Sequence, residues 1–308
     1  MTQAQPLNLK DCRQVLQAPQ RQSHKYSRGV VGLITGSPTY PGAALLSTEA
    51  AIMSGAGMVR FLGPADLLWK VQLKCPEAVT SSQEPSQVRV EAWGIGSGAV
   101  GEERARPLLE VISSQQPAVI DAAALPLTAQ ALADGLSLGP QQILTPHAGE
   151  AVDFITWLQA LAPQLLTIGP EPPSRSQLEE KPLYYAQALA QATGATVLIK
   201  GGVSSIASPQ GPCYQVSGNT PWLATAGSGD TLTGLMATLL AGFQAQLRGP
   251  SGDPGLGGAE DYALIAGAAT LIHGLAAELV HDGQLPGPVP PSLVTQQLPY
   301  ALARALGG

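Results

Sequence analysis

A strand, a glycine loop and an apolar helix follow one another near the N-terminus, and this succession restricts the fold. Residues 28–35 form an apolar run of strand length that ends at Gly36. Residues 43–55 carry Ala, Leu, Ile and Met at helical spacing, and residues 57–62 form a second strand. The two strands are expected to pair in parallel, because such crossovers are right-handed. The sequence therefore predicts an α/β fold with a mainly parallel sheet.

The same alternation continues along the rest of the chain. Further strands are predicted at residues 77–80, 91–95, 118–120, 142–144 and 196–199, followed by a hairpin of residues 203–207 and 212–216. Further helices are predicted at residues 65–74, 102–113, 183–193, 231–240, 259–281 and 293–306. Residues 158–181 are rich in proline and are predicted to be an excursion within one domain, not a linker between two.

The composition indicates a globular protein that does not bind nucleic acid. Of the 308 residues, 44% are hydrophobic and only 12% are charged, which favours helices packed on a sheet over a disordered chain. A net charge of −6 leaves no basic surface to neutralise the phosphates of a nucleic acid. The three cysteines lie far apart and lack the spacing of zinc ligands, which fits a reduced, cytoplasmic setting.

The domain organisation is predicted to be a polar leader at residues 1–24 and a single domain at residues 25–308. The leader has no basic segment followed by an apolar run, so it lacks the pattern of a signal peptide. The longest apolar stretch, residues 262–280, contains His273 and Glu278, so a buried helix is favoured over a membrane span. His273 is predicted to be a packing residue of that helix. No association with a membrane is expected.

A glycine turn before an apolar helix is the clearest candidate for a binding site. Gly227, Ser228 and Gly229 precede Asp230, and residues 231–240 are largely apolar. The first N–H groups of a helix lie at the positive end of its dipole without an acceptor in the helix, so a phosphate can bind there. Asp230 is then placed to take a proton from an attacking hydroxyl. The alternative is an ordinary glycine turn in which Asp230 caps the helix.

Glycine or polar residues follow several of the predicted strands. Ligands of open parallel sheets bind beyond the carboxyl ends of the strands, where the loops gather. We therefore expect one edge of the sheet to hold Gly36, Gly96, Asp121, His147 and the turn at residues 227–230.

Short motifs of glycine and polar residues occur in a definite order along the chain. They are Tyr40-Pro41-Gly42-Ala43-Ala44, Gly55-Ala56-Gly57, Thr145-Pro146-His147-Ala148-Gly149-Glu150, Lys200-Gly201, Gly218-Asn219 and Gly227-Ser228-Gly229-Asp230. In this order the set resembles the NAD(P)H-hydrate dehydratases of the ribokinase-like superfamily, from about Lys25 to the last helix. The resemblance implies a three-layer α/β/α sandwich with a mainly parallel central sheet.

The resemblance also implies an activity. The expected reaction is ADP-dependent dehydration of (6S)-NADHX or NADPHX, the hydrated reduced nicotinamide nucleotides, to NADH or NADPH with release of AMP and phosphate. ATP is the alternative phosphate donor. The nucleotide would phosphorylate the ring hydroxyl, and elimination of phosphate would restore the double bond. Mg²⁺ is expected to bridge nucleotide oxygens, although no cluster of carboxylates in the sequence marks a dedicated metal site.

Site residues and partners are implied in the same way. Asp230 is the expected catalytic base, and the turn before it is expected to stabilise the transferring phosphoryl group through the amides of Gly227, Ser228 and Gly229. The residues expected to bind ADP are Lys200, Gly201, Gly202, Val203, Ser204 and Gly229. The residues expected to bind the hydrate are Ala43, Gly96, His147 and Asp230. A homo-oligomer, specifically a tetramer, is expected, with an epimerase as partner or fused domain.

Three departures from the family pattern leave alternatives open. Ala123 stands where related proteins usually carry a second Asp, the loop at residues 94–98 lacks a usual proline, and Pro291-Ser292-Leu293 lacks a usual acid. One alternative is a ribokinase-like kinase of a small alcohol or vitamin precursor, which would share the glycine turn but not the motif at residues 145–150. The other is a nucleotide-binding sensor without catalysis, because two acids are missing.

Overall fold

The computed structural model describes residues 4–16, 18–169, 171–249, 255–282 and 286–307 as strands, helices and their connections. The strands are β1 (Gln5–Pro6), β2 (Val30–Ile34), β3 (Met58–Leu62), β4 (Val79–Ser81), β5 (Ala92–Ile95), β6 (Ala118–Ile120), β7 (Gln142–Leu144), β8 (Thr196–Ile199), β9 (Ser204–Ala207) and β10 (Cys213–Val216). The α-helices are α1 (Pro41–Met53), α2 (Ala65–Lys74), α3 (Glu102–Ser113), α4 (Ala124–Ala133), α5 (Ala148–Leu161), α6 (Arg175–Glu180), α7 (Pro182–Thr193), α8 (Ser228–Leu247), α9 (Ala259–Leu279) and α10 (Pro291–Leu306).

All of these strands join one sheet in the order β1-β10-β9-β8-β7-β6-β5-β2-β3-β4. Neighbouring strands are parallel except that β9 runs antiparallel to β8 and to β10. Successive side chains of a strand point to opposite faces, so Val31 and Leu33 enter one apolar core while Val30 and Ile34 enter the other. One core is covered by α1, α2 and α8 to α10, the other by α3 to α7. The predicted three-layer α/β/α sandwich is confirmed.

Helices α1 and α8 approach closely and place their N-termini side by side. A Cβ atom on Gly234 of α8 would overlap the carbonyl oxygen of Ser47 on α1, so only glycine allows this separation. Thr238 Oγ1 donates to the carbonyl oxygen of Ala51 at 3.3 Å, one turn further along. The small residues that the sequence places in both helices therefore determine how near the glycine turn before α8 lies to the loop before α1.

Most predicted elements are confirmed, and three helices, α4, α5 and α6, were missed. The bounds of α2, α3, β6, β7 and β8 agree with the predicted ranges. Helix α4 was missed because Pro126 stands in its first turn, where proline is tolerated although it breaks a helix further in. Helix α5 was missed because His147, which is not a usual helix cap, precedes it. The predicted excursion contains the end of α5 and all of α6, and parts of the predicted loops at 248–258 and 284–291 lie outside the described residues.

Part of the predicted polar leader packs against the domain. Gln5 and Pro6 pair with Tyr214 and Gln215 of β10, which makes β1 an edge strand. Beyond it, Cys12 and neighbouring apolar side chains are buried in the core that α9 and α10 cover. The burial of these side chains was not predicted, because the segment is polar in overall composition. Where the domain begins stays a prediction.

Helix α9 is the one described helix whose length and composition would allow it to cross a membrane. Its most apolar window is 83% buried within the protein, between α8 and α10. This is the environment of a core helix, as predicted for residues 262–280.

Candidate functional site

The carboxyl ends of the parallel strands gather polar side chains from separate parts of the chain. Asp121 follows β6, Thr145 follows β7 and Lys200 follows β8, so the three residues lie side by side along one edge. The helices that follow parallel strands begin at the same edge, which brings the N-termini of α4 and α5 to it. These polar side chains therefore meet at the edge of the sheet where the sequence predicts a binding site.

The Asp121 carboxylate is the centre of a buried hydrogen-bond network. Its oxygens accept hydrogen bonds from Ser97 Oγ at 2.8 Å, from Thr145 Oγ1 at 2.9 Å and from Lys200 Nζ at 2.7 Å. Ser97 Oγ also lies 3.0 Å from Thr233 Oγ1 on α8. Asp121 is only 3% exposed, so these partners replace the water that the carboxylate loses on burial. The network links four loops of the edge to α8.

Lys200 lies between two carboxylates. Besides Asp121, its Nζ is 3.9 Å from Glu150 Oε2. Burial by itself lowers the pKa of Lys200, but the negative charges of Asp121 and Glu150 outweigh burial, and the pKa lies above its ordinary value. Lys200 is therefore a charged ammonium at neutral pH.

His147 begins α5 and leaves its ring exposed. The ring Nδ1 of His147 accepts a hydrogen bond from the backbone N–H of Glu150 at 3.2 Å. The backbone N–H of His147 in turn donates to Glu150 Oε2 at 2.8 Å. This reciprocal pair is a capping box in which histidine replaces the usual hydroxyl residue. Its side chain is 58% exposed, and the main chain beside it pairs with Lys200. The ring of His147 is thus available to a ligand at this edge.

The glycine turn before α8 requires glycine at Gly227. Its φ is +94°, and a Cβ atom there would come within 2.7 Å of Leu46 Cδ1. Ser228 N–H donates to the Thr225 carbonyl at 3.3 Å, whereas Gly227 and Gly229 have N–H groups with no acceptor among the described residues. Two of the three amides predicted to stabilise a phosphoryl group are therefore free, and the amide of Ser228 already has an acceptor.

Asp230 stands in the first turn of α8, and its side chain forms no hydrogen bond or ion pair with another described residue. Burial raises the pKa of its carboxyl, the negative charge of Asp121 raises it further, and Lys200 opposes them, giving a value of about 6. A Cβ atom on Gly229 would lie 3.6 Å from Lys200 Nζ and 4.0 Å from Asp121 Oδ2. The ion pair and the unpaired carboxylate therefore adjoin the same glycine, in an arrangement suited to a general base.

Ala43 and Gly96 lie on the other side of Asp121. Gly96 has a φ of +100°, and a Cβ atom there would overlap the carbonyl oxygen of Asp121. Two residues on, a Cβ atom on Gly98 would lie 2.6 Å from Ala43 Cβ and 3.5 Å from Gly36 Cα. The structure thus brings the predicted hydrate-binding residues to one row of loops, with His147 in the loop after β7, between the loops of Asp121 and Lys200.

The remaining residues predicted to bind ADP follow Lys200 directly. Gly201, Gly202 and Val203 form an exposed turn, and Ser204, which begins β9, is buried. Their role in binding stays a prediction.

Sequence reasoning assigned no role to several members of the network. Asp121 was recognised only as a residue at a strand end, and Glu150 only as part of a motif. Ser97, Thr145 and Thr233 were not recognised as partners of Asp121. The available signal was that Asp121 and Thr145 each directly follow a short apolar strand. Ala123 precedes α4 and provides no side-chain cap.

His273 is a buried packing residue of α9, as predicted, and its ring lies against the first turn of α8. Its Nε2 lies 2.8 Å from Thr231 Oγ1, which donates its own hydrogen to the Ser228 carbonyl at 2.8 Å. The ring therefore donates through Nε2 to Thr231. Burial lowers the pKa of His273 from 6.5 to about 4, so the ring is neutral at neutral pH.

Replacing His273 with Gln is expected to flatten the dependence of stability on pH between pH 4 and 6.5. In this range the unfolded chain binds a proton at His273 that the folded chain does not bind, so stability falls as pH falls. Gln does not titrate, and its amide can still donate to Thr231. Urea unfolding at several pH values measures the slopes, and His24→Gln, at an exposed histidine, is the matched control. Equal slopes for His273→Gln and the parent protein would contradict the expectation.

Comparison with known proteins identifies sequences that are similar over most of this chain. A family model described as NAD(P)H-hydrate dehydratase matches residues 31–299. The chain is 37% identical over 289 residues to the bifunctional NAD(P)H-hydrate repair enzyme Nnr of Corynebacterium glutamicum, covering 91% of the chain and 48% of that protein. It is 31% identical over 239 residues to the ADP-dependent (S)-NAD(P)H-hydrate dehydratase of Xanthomonas campestris, covering 72% of the chain and 74% of that protein. The chain spans about half the length of its bifunctional relatives.

Solved structures with the same fold include a ribokinase-like superfamily protein from Enterococcus faecalis, with a TM-score of 0.76, 25% identity and coverage of 99% of this chain and 97% of that one. The ADP/ATP-dependent NAD(P)H-hydrate dehydratase of Bacillus subtilis, co-crystallised with ATP and Mg²⁺, has a TM-score of 0.76 at 24% identity. That match covers 97% of this chain and 98% of the other. At 24% identity, the similarity to the Bacillus subtilis enzyme shows a shared fold and nothing more.

Proposed function

The chain belongs to the NAD(P)H-hydrate dehydratase family, and from this premise we propose that it dehydrates (6S)-NADHX or NADPHX to NADH or NADPH. ADP supplies the phosphoryl group and leaves as AMP. The transferred phosphoryl group is released as inorganic phosphate. The observation that carries the proposal is Asp230, an unpaired carboxylate at the glycine-rich N-terminus of α8 beside the Lys200–Asp121 ion pair. The relative in Xanthomonas campestris supports ADP as donor by its name.

Phosphorylation solves a specific chemical difficulty of this dehydration. Hydroxide is a poor leaving group and phosphate is a good one. The terminal phosphoryl group passes from ADP to the ring hydroxyl oxygen, which loses its proton. The carbon–oxygen bond then breaks, a proton leaves the neighbouring ring carbon, and the ring double bond is restored. The protein must orient the two substrates and stabilise charge, as kinases do.

The residues of the carboxyl edge divide this work. Asp230 accepts the proton of the ring hydroxyl as the oxygen attacks. The free amides of Gly227 and Gly229, with the dipole of α8, stabilise the charge of the transferring group. Lys200 contributes a positive charge next to the same turn.

The residues of this edge also form the proposed binding surfaces for the nucleotide and the hydrate. We assign the nucleotide to Lys200, the turn at residues 201–204 and Gly229. We assign the hydrate to Ala43, Gly96, His147 and Asp230. Support comes from the way the strand ends bring these residues to one edge of the sheet.

Mg²⁺ is proposed to arrive with the nucleotide. The described residues contain no group of three or more His, Cys, Asp or Glu side chains able to hold a metal ion. In such sites phosphate oxygens and water supply most of the ligands of Mg²⁺. We therefore assign it no protein ligand and derive no step through it. Its chemistry when bound to the nucleotide is neutralisation of phosphate charge.

Partners and location are proposed from the relatives and from the surface. The bifunctional relatives are about twice as long as their match to this chain, which supports an epimerase as fused domain or separate partner. Trp69 and Leu73, one turn apart on α2, are 62% and 66% exposed, which supports a homo-oligomer, proposed to be a tetramer. A cytoplasmic location is proposed as for other enzymes that repair soluble nucleotides.

One assay tests the proposed function. Purified protein is incubated with hydrated NADH, Mg²⁺ and either ADP or ATP, and recovery of NADH is followed by its absorbance. Recovery with release of AMP and phosphate is expected with ADP. Stable phosphorylation of an added small alcohol without NADH recovery would indicate a kinase. Nucleotide binding with no turnover of either donor would indicate a sensor and overturn the proposal.

The activity is expected to rise with pH through a midpoint near pH 6. Asp230 acts as a base only when it is ionised, and its pKa of about 6 places this ionisation just below neutrality. Values of kcat/KM measured with hydrated NADH from pH 5 to 8 test the expectation. Because the phosphate of ADP also titrates, its protonation is measured by phosphorus NMR in the same buffers and corrected for. A constant rate over the whole range would contradict this role of Asp230.

A further inference from the structure

Lys200 forms a close ion pair with Asp121 and a longer one with Glu150, but none with Asp230, the third carboxylate whose charge acts on it. Its Nζ is 2.7 Å from Asp121 Oδ1, whereas no ion pair joins it to Asp230 among the described residues. The position of a Cβ atom on Gly229, next to Asp230 in the chain, is 3.6 Å from the same Nζ. The ammonium therefore lies close enough to the turn to pair with Asp230 if it were released from Asp121.

Two hydrogen bonds to Asp121 explain why Lys200 pairs with Asp121 and not with Asp230. Ser97 Oγ and Thr145 Oγ1 each donate to a different oxygen of the Asp121 carboxylate, at 2.8 and 2.9 Å. These bonds hold the carboxylate with one oxygen toward Lys200, and Asp121 is 3% exposed, so few other orientations are open to it. The described residues provide no such donors to the Asp230 carboxylate. An oriented carboxylate binds an ammonium with a smaller loss of side-chain freedom than one that must first be ordered.

We propose that Asp121 is a positioning residue that retains Lys200 and so keeps the catalytic carboxylate of Asp230 free to accept a proton. The role attributed to Asp230 here rests on the proposed function. Lys200 then serves the nucleotide from a position defined by Asp121. Without that anchor, Lys200 would pair with Asp230 and occupy the oxygen that the substrate hydroxyl must approach.

The charges around Asp230 make this competition effective. The groups that face it are Asp121 from the end of β6 and Lys200 from the end of β8, with Glu150 of α5 behind Lys200. From α9 only the neutral His273 reaches the first turn of α8, through Thr231. A direct ion pair typically lowers the pKa of a carboxyl by about one to three units, which weakens it as a base. Lys200 is the cation among these groups, so its partner decides the basicity of Asp230.

The experiment is a double-mutant cycle on the pKa of Asp230, measured without substrate. The pH-dependent carbon NMR signal of its side-chain carboxyl is assigned by its absence in Asp230→Asn. Asp121→Asn is expected to lower this pKa by about one unit or more when Lys200 is present. In the Lys200→Met background the same change is expected to have a much smaller effect, because only the direct repulsion by Asp121 is lost. An equal decrease in both backgrounds, or none with Lys200 present, would overturn the proposal.

A second variant retains the charge of Asp121 and guards against misfolding. Thr145→Val removes one donor to Asp121 and is expected to lower the pKa of Asp230 by less than Asp121→Asn does. Thr156→Val, on the exposed side of α5, is the matched control and should leave it unchanged. An unchanged pKa in Thr145→Val together with a full effect of Asp121→Asn in both backgrounds would overturn the proposal. The measurement needs no turnover, so its failure is distinguishable from failure of the hydrate assay.

Discussion

Replacing Asp230 with Asn is expected to lower kcat for hydrated NADH by about 10²- to 10⁴-fold, the usual contribution of a general base. The amide has nearly the same shape as the carboxyl but cannot accept the proton of the ring hydroxyl. ADP affinity, measured by calorimetry, is expected to stay unchanged, because the free amides of Gly227 and Gly229 remain in place. Unchanged turnover would show that another group is the base.

Stability separates this loss of activity from unfolding. Burial raises the pKa of Asp230 from 3.8 to about 6, so ionising it disfavours the folded state, and stability from this group decreases as pH rises from 4 to 6. The variant Asp230→Asn cannot ionise and is expected to be at least as stable as the parent protein at pH 8. Asp66→Asn, at a carboxylate that is 51% exposed, is the control for both measurements. An inactive and less stable Asp230→Asn would instead indicate a structural role.

Replacing Gly96 with Ala is expected to have the largest effect on stability among the site residues. Gly96 has a φ of +100°, and an added Cβ would overlap the Asp121 carbonyl oxygen and lie 2.7 Å from Ala124 Cβ. Strain in this region of φ alone costs roughly 1–2 kcal/mol. With the overlap we expect the free energy of unfolding to decrease by about 3–5 kcal/mol, near the upper end for single substitutions. Urea unfolding measures this change.

Gly101 provides a matched control in the same loop. Its φ is +104°, but nothing lies within 4 Å of the position of an added Cβ. Gly101→Ala therefore carries backbone strain without the overlap and is expected to cost about 1–3 kcal/mol. KM for hydrated NADH should rise in Gly96→Ala and not in Gly101→Ala. Equal losses of stability would mean that the loop relaxes around Gly96 and that the overlap has no consequence.

Much of the fold could be predicted because its signals are local. Short apolar runs that end in glycine or a polar residue predicted β6, β7 and β8 at their observed bounds. Helix α4 was missed because Pro126 in its first turn is a local signal against a helix, and burial of its apolar face overcame that signal. Helix α5 was missed because the capping role of His147 depends on the reciprocal bond with Glu150. The contacts that stabilise these two helices are not part of the sequence patterns from which helices are usually predicted.

The candidate site could be predicted only in part for a related reason. The motif at residues 227–230 placed Asp230 at a helix N-terminus, since that position follows from adjacent residues. The partners of Asp121 come from three other loops, and no spacing in the sequence links Ser97 or Thr145 to it. The sequence therefore pointed to Asp230, the proposed base, but not to the network beside it.

The sequence by itself indicated the alternation of strands and helices, the family, and the place of Asp230 after a turn that needs glycine. Each of these follows from periodicity or from residues next to one another in the chain. Only the tertiary structure decided that Lys200 pairs with Asp121, which is 79 residues away, and that Asp230 is left unpaired and has a raised pKa. The physical reason is that ion pairing and desolvation depend on which neighbours the folded sheet brings within a few ångströms.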